Sequence, residues 1–374
     1  MLYKEVPQFE STWIECIGDM GRYRIQIVDD GTDIRETWRR DSQQWFLKAS
    51  DKGPEVGRLY HHLATMAPNA LEQLFYYAKS LCVSVPFLNS RKTMTDFLFA
   101  LYATGCPKPS AEKDAAYLSA HAILFTGKNK EQFMPWVSLF VGNLNNFIEE
   151  NKDHWLVSGY QIGISLACAI LEYGSASNLV VRSIESEKGE GKQNDDPNTL
   201  SAHPGFLNAI ELAAQTHDVV LRRSSDANVL PYLHVTLSFL HHMSKLKMAM
   251  GYIGVRMPWK LIMSVLNKLL EDCISADQIE SDAFPRHKKT STPLSEDFAQ
   301  RELLWVKDYY PEDWFTTMNY EYHMVTEEPW MMQERIHRCL WLGVRIASSE
   351  QWLTYDKLAR KFGVRLEYDV NLDM

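Results

Sequence analysis

GRLYHHLATMAPNALEQLFYYAKSLCV, running from Gly57 to Val83, is the stretch that decides the fold. Its apolar residues recur at helical spacing on both sides of Pro68-Asn69, which predicts one helix over Val56–Met66 and another over Leu71–Val83. Val85-Pro86 stops the second, because a residue before proline avoids the helical region. The preceding sequence repeats the plan. Residues 12–28 carry Ile14, Ile17, Met20 and Ile25 at helical spacing, and Asp29-Asp30-Gly31-Thr32 breaks the run. A helix over Asp33–Ser50 follows, with Ile34, Trp38, Trp45 and Ala49 on its apolar side, and Gly53-Pro54 ends it. Two antiparallel helix pairs in series are expected.

Each pair carries small residues where close packing needs them: Gly18 and Ala64 in the first helices, Ala49 and Ala78 in the second. That is the logic of tetratricopeptide (TPR) repeats, in which a hairpin hides its apolar face only against its neighbour. Helical patterns continue over 91–104, 112–126, 130–150, 154–173, 204–217, 230–250, 257–275, 295–308, 330–348 and 354–361. Only Asn178–Ile184 alternates like a strand. Segments 185–199 and 278–293 are poor in large apolar residues and are expected to be mobile loops. The fold class is all-α, with helical hairpins over 1–105 continuing into a solenoid-like hairpin bundle over 106–374.

Composition narrows the function. The chain has 374 residues, 45% of them hydrophobic, 23% charged, with a formal net charge of −9. A protein devoted to coating nucleic acid is disfavoured by that charge. The six cysteines are scattered, with no CxxC pair, which fits small buried hydrophobes in a reducing compartment. No apolar signal core and no long uncharged apolar run is present, so a nuclear or cytoplasmic protein without a membrane span is expected.

Several blocks together resemble the Est/SMG family, the telomerase-associated Est-type and SMG nonsense-mediated mRNA decay factors. Gly18-Asp19-Met20-Gly21-Arg22-Tyr23-Arg24 matches the family's Gly-Asp-x-x-Arg-Tyr-Arg signature. Gly57–Ala64, and Leu74–Leu81 followed by Val85-Pro86-Phe87, resemble its second-repeat blocks. Pro258-Trp259, Leu294-Ser295-Glu296-Asp297, Pro311–Phe315, Arg335–Gly343 and Trp352–Asp356 follow in family order. The resemblance implies a 14-3-3-like/TPR domain followed by an Est-type DNA/RNA-binding helical-hairpin domain. It also implies Arg22 and Tyr23 as a phosphate-binding pair, with Arg58, His61 and Lys79 as further contacts. A guanidinium fork suits phosphate oxygens and a phenol adds one donor. Two departures stand out. Only 17 residues precede Gly18, so the earlier helices that would complete the pocket are expected to be missing. His61 stands where the family often has an amide, and an imidazole cannot donate and accept as an amide does.

Read without the resemblance, Arg22 lies three residues after Asp19 and seven after Glu15, placed to pair on a solvated helix face. His61-His62 and His241-His242 do not chelate jointly, since adjacent helical positions diverge by about 100°. No metal or cofactor is expected. The run Lys357–Arg365 is the best basic patch, either a solvated helix end or a phosphate contact through Lys357, Arg360, Lys361 and Arg365. Arg286–Lys289 reads as a solvated loop or a short nuclear-import signal. No phosphate loop, nucleophile elbow or His/Glu metal motif occurs, and the chain ends without the nuclease (PIN) domain some family members carry. The expected function is a non-catalytic adaptor in mRNA decay, binding a phosphoprotein such as the phosphorylated decay helicase. The alternatives are a telomerase-associated subunit contacting RNA or single-stranded DNA, and a truncated paralogue serving only as a scaffold.

Overall fold

The computed structural model describes residues 6–28, 33–103, 114–187, 203–273, 276–286, 292–316 and 327–368. The helices are α1 (Glu10–Ile27), α2 (Asp33–Lys52), α3 (Gly57–Met66), α4 (Ala70–Cys82), α5 (Ser90–Ala103) and α6 (Ala115–Thr126). They continue as α7 (Phe133–Glu150), α8 (Lys152–Ile170), α9 (Leu179–Glu187), α10 (Pro204–Leu221), α11 (Leu230–Lys245) and α12 (Lys247–Ile253). The last are α13 (Trp259–Glu271), α14 (Ala276–Glu280), α15 (Ser295–Gln300) and α16 (Pro329–Ala347). Strands β1 (Leu353–Asp356) and β2 (Lys361–Val364) then form an antiparallel pair. The fold is all-α apart from this hairpin.

The two N-terminal pairs form as the spacing predicts. α1 packs on α2, and a methyl group on Gly18 would lie 2.8 Å from the Phe46 ring, so the small residue sets that approach. Ser42 donates to the Gly18 carbonyl at 2.7 Å and fixes the register. α3 packs on α4, whose first turn is capped by the Asn69 side chain accepting from the Glu72 amide. α8 is the centre of the molecule. It touches α4, α7, α10, α11 and α15, and its run from Tyr160 to Leu171 is almost wholly buried. One contiguous buried core runs from Ile25 to Phe362. The expected division at 105/106 lies among residues 104–113, outside the described residues.

The structure corrects four readings. Leu179–Ile184 is helical, the start of α9, with Asn178 just before it capping the Val180 and Val181 amides. The helix expected over 230–250 breaks at Leu246 (φ −100°, ψ 88°) into α11 and α12. That expected over 295–308 ends at Gln300, because Arg301 is extended and Glu302 takes a positive φ of 65°. The region 354–361 is a β-hairpin, with Leu353 and Phe362 buried on one face. Of the expected loops, 185–187 belong to α9 and 278–280 to α14, residues 281–286 are a bend and irregular chain, and 188–199 and 287–291 lie outside the described residues.

Candidate anion-binding face

Arg22, Arg58 and His61 meet on one face, where α1 runs beside α3. Positions 15, 19, 22 and 26 share a side of α1, so Glu15, Asp19 and Arg22 look the same way. Arg22 donates to Asp19 Oδ1 from Nε at 3.0 Å and from Nη2 at 2.9 Å, and its guanidinium lies 4.6 Å from the Tyr23 ring centre. Across the groove, Arg58 Nη1 pairs with Glu15 at 2.7 Å. His61 Nδ1 is 2.9 Å from the Ser90 hydroxyl, which also bonds Ser80. His62 stacks on Phe46 with ring centres 4.8 Å apart.

Electrostatics make this face balanced, not strongly basic. Burial lowers the pKa of His61, and the charge of Arg22 lowers it further. Burial likewise pushes His62 down to about 4, so neither imidazole adds charge near neutral pH. Burial raises the Glu15 pKa, opposed by Arg58. Two arginines thus face two carboxylates. Both pairs are partly exposed, so solvent screens them and each contributes far less than a fully buried pair would. A phosphate dianion, whose charged hydrogen bonds are worth roughly 1.5–3 kcal/mol each, has chemistry enough to displace Asp19 from Arg22.

Lys79 does not join this face. It is 2% exposed, donates to the Phe298 carbonyl at 3.0 Å and lies 4.3 Å from the Tyr60 ring centre. Burial lowers its pKa to about 7, helped by the positive charge of Arg301. α4 is buried on every side from Leu74 to Cys82, and Lys79 is buried with it. Tyr23 remains exposed beside Arg22.

The C-terminal basic run forms the tip of the β-hairpin. Lys357, Arg360 and Lys361 are exposed around Leu358, and the Asp356 side chain caps the turn by accepting from the Leu358 and Ala359 amides. Arg365 is also exposed, but it is held back by donating from Nε to the Glu350 carbonyl at 2.6 Å.

A second charged constellation escaped the sequence reading as a unit. Glu296 and Asp297, in α15, meet Arg335 and Arg338, in α16, in a dry interior. Arg335 donates to both Glu296 oxygens at 2.7 and 3.0 Å, and Arg338 pairs with Asp297 at 3.2 Å and Glu334 at 2.9 Å. His234 Nδ1 is 3.2 Å from Glu296, and its Nε2 is 2.6 Å from the Tyr309 hydroxyl. Asp297 also accepts from Tyr310 and Trp314. Burial alone would raise the Glu296 pKa, but Arg335 and His234 overcome it and hold the carboxyl below its usual range. Both arginines are held above theirs, Arg335 by Glu296 and Arg338 by Asp297, against the burial penalty. The signal available in sequence was the recurrence of charge inside two otherwise apolar blocks, Leu294–Asp297 and Arg335–Gly343.

An all-α hairpin protein, carrying one half-exposed charged groove and one buried ionic lock, is the class these features define. No family model matches the sequence. The chain is 32% identical over 82 residues to the telomerase-binding protein EST1A of Danio rerio, a match covering 21% of this chain and 5% of that protein. It is 24% identical over 94 residues to EST/SMG-like protein 2 of Saccharomyces cerevisiae (strain ATCC 204508 / S288c), covering 25% and 8% respectively. The solved structure described as Est1 and Cdc13 shares the fold with a TM-score of 0.63 and 12% identity, over 94% of this chain and 71% of that one. This chain is related to the Est/SMG proteins, with the sequence match confined to a quarter of its length or less.

Proposed function

We propose that the chain is a non-catalytic scaffold of the Est/SMG type whose α1–α3 groove receives a phosphorylated segment of a partner protein. The observation that carries this reading is the convergence of Arg22 and Arg58 on one half-exposed face, each paired with a replaceable carboxylate. A bidentate phosphate contact from Arg22 would exchange a weak in-helix pair for stronger charged hydrogen bonds. In this reading Tyr23 supplies a phenolic donor at the rim and His61 a neutral hydrogen-bonding group. The process served is nonsense-mediated mRNA decay, with the hairpin bundle presenting bound factors, in nucleus and cytoplasm. Titrating a phosphoserine peptide and its unphosphorylated twin against wild type and Arg22→Glu tests it. Wild type should prefer the phosphorylated peptide at least tenfold and Arg22→Glu should abolish the preference; equal affinities for the two peptides would sink the reading.

A second reading has its own observation. The exposed tip Lys357, Arg360 and Lys361 presents three cations around Leu358, and two of the similar proteins are described by telomerase binding and by Est1 with Cdc13. It assigns the chain to a telomerase assembly, with the tip touching phosphates of RNA or single-stranded DNA. Binding would fall steeply with salt as counterions are released. Gel shifts unchanged by replacing all three cations with Gln would dismiss it.

A further inference from the structure

Lys79, which the charged face leaves out, lines a cavity of its own. The end of α2, the turn at Pro54, α3, α4 and α15 with Arg301 beyond it all contribute to the wall. Leu47, Leu63 and Phe75 make that wall apolar, while Lys79 and Arg301 bring two positive charges to it. Among the described residues, neither cation is in an ion pair with a carboxylate. Asp51 and Glu302 act on Lys79 through charge alone, each less strongly than Arg301 repels it.

The hydrogen bonds leave donors over. Of the three N–H donors of the Lys79 ammonium, one meets the Phe298 carbonyl at 3.0 Å. Of the five on the Arg301 guanidinium, one meets the Asp51 carbonyl at 3.3 Å. A buried charge without a partner is costly, and Lys79 is only 2% exposed. The size of the cavity narrows what could offset that cost. Its volume is about 20 Å³, and a water-sized particle needs roughly 10–15 Å³. A phosphate group is too large. Asp51, which also lines the wall, leaves the pocket one positive charge in excess, to be matched by a single negative one. We infer that this pocket binds one small monovalent anion, of the size of chloride, between the Lys79 ammonium and the Arg301 guanidinium. The anion ties α4 to the chain beyond α15. It uses none of Arg22, Tyr23, Arg58 and His61, so it stands independently of the phosphate reading.

Melting the whole chain in sodium chloride and in equal sodium gluconate, whose anion is too large to enter, tests the site. General salt effects act alike on wild type and Lys79→Met. The site should therefore appear as an extra chloride stabilisation of wild type alone. That extra should be present at pH 6 and fade toward pH 9, because Lys79, with its pKa of about 7, must hold its proton to bind the anion. The other groups facing the ammonium are Arg301, Asp51, Glu302, the Tyr60 ring and the Cys168 thiol, which burial keeps protonated. Should Lys79→Met fail to fold, the chloride NMR line decides. Wild type should broaden it, bromide should sharpen it again, and Arg301→Gln should leave it narrow. Equal chloride effects on wild type and Lys79→Met would overturn the proposal, as would a line that wild type does not broaden or that Arg301→Gln broadens equally.

Discussion

Arg22 and Arg335 are both arginines facing carboxylates from a helix, yet their surroundings make them opposites. Arg335 is 2% exposed and meets Glu296, itself fully buried, through two hydrogen bonds from an element 39 residues away. Arg22 is part-exposed and pairs with a neighbour three residues along its own helix. Removing one partner of a buried pair leaves an uncompensated charge away from water; removing one partner of the part-exposed pair leaves a group that water can reach. The buried lock therefore holds the hairpins in register, while the groove keeps its charges available for exchange.

This contrast sets the order of expected effects. Arg335→Met, which leaves buried Glu296 with the His234 ring but without its arginine, should destabilise the fold by about 3–5 kcal/mol in denaturant unfolding. The same lock makes acid the weak side of the molecule. The folded pKa of Glu296 lies below its unfolded value near 4.5, so its stabilising contribution is present above that value. The contribution is lost as pH falls through the folded value. Glu296→Gln should lack this acid-dependent loss, which melts recorded between pH 5 and pH 2 would reveal.

Lys79 lies between the two extremes, buried and bonded to the Phe298 carbonyl over the Tyr60 ring, with Asp51 and Glu302 near enough only to oppose part of the burial penalty. Its folded pKa of about 7 is below the ordinary 10.5, so the unfolded chain binds the extra proton between those values. Stability from this group should rise with pH through that window, at most by roughly 1.4 kcal/mol per pH unit. Lys79→Met should be more stable than wild type at pH 6, and the gap should narrow toward pH 9; an unchanged gap would show that Lys79 does not titrate there. At the groove, Asp19→Asn removes the competitor for Arg22. It should tighten phosphopeptide binding several-fold with a stability change within about 0.5 kcal/mol. The smallest stability effect belongs to the hairpin tip, where replacing Lys357, Arg360 and Lys361 with Gln should leave melting unchanged.

Much of the fold could be read from the chain because helices announce themselves locally. Pro68-Asn69, Gly53-Pro54 and the apolar spacing of Leu71–Val83 speak within a few residues of where they act. The hairpin at 353–364 could not be read, because its strands have four residues each and Leu358 and Phe362 also fit a helical repeat. The break at Leu246 has no Gly or Pro to mark it. The groove was legible in part: Arg22, Arg58 and His61 do come together, and the pairing of Arg22 with Asp19 follows from their spacing alone. Lys79 was misplaced because α4 is buried on every side from Leu74 to Cys82, which only tertiary packing decides. The lock was invisible as a lock, since its partners stand 39 to 41 residues apart and only tertiary packing joins them.

Melting wild type and Arg22→Gln with and without saturating phosphoserine peptide puts the central division directly to the test. A ligand that binds only the folded chain raises its melting temperature. The two proteins should melt together without peptide, and only wild type should shift upward with it. Equal shifts in both, or an Arg22→Gln protein already destabilised without peptide, would contradict the assignment of Arg22 to binding and of stability to the buried lock.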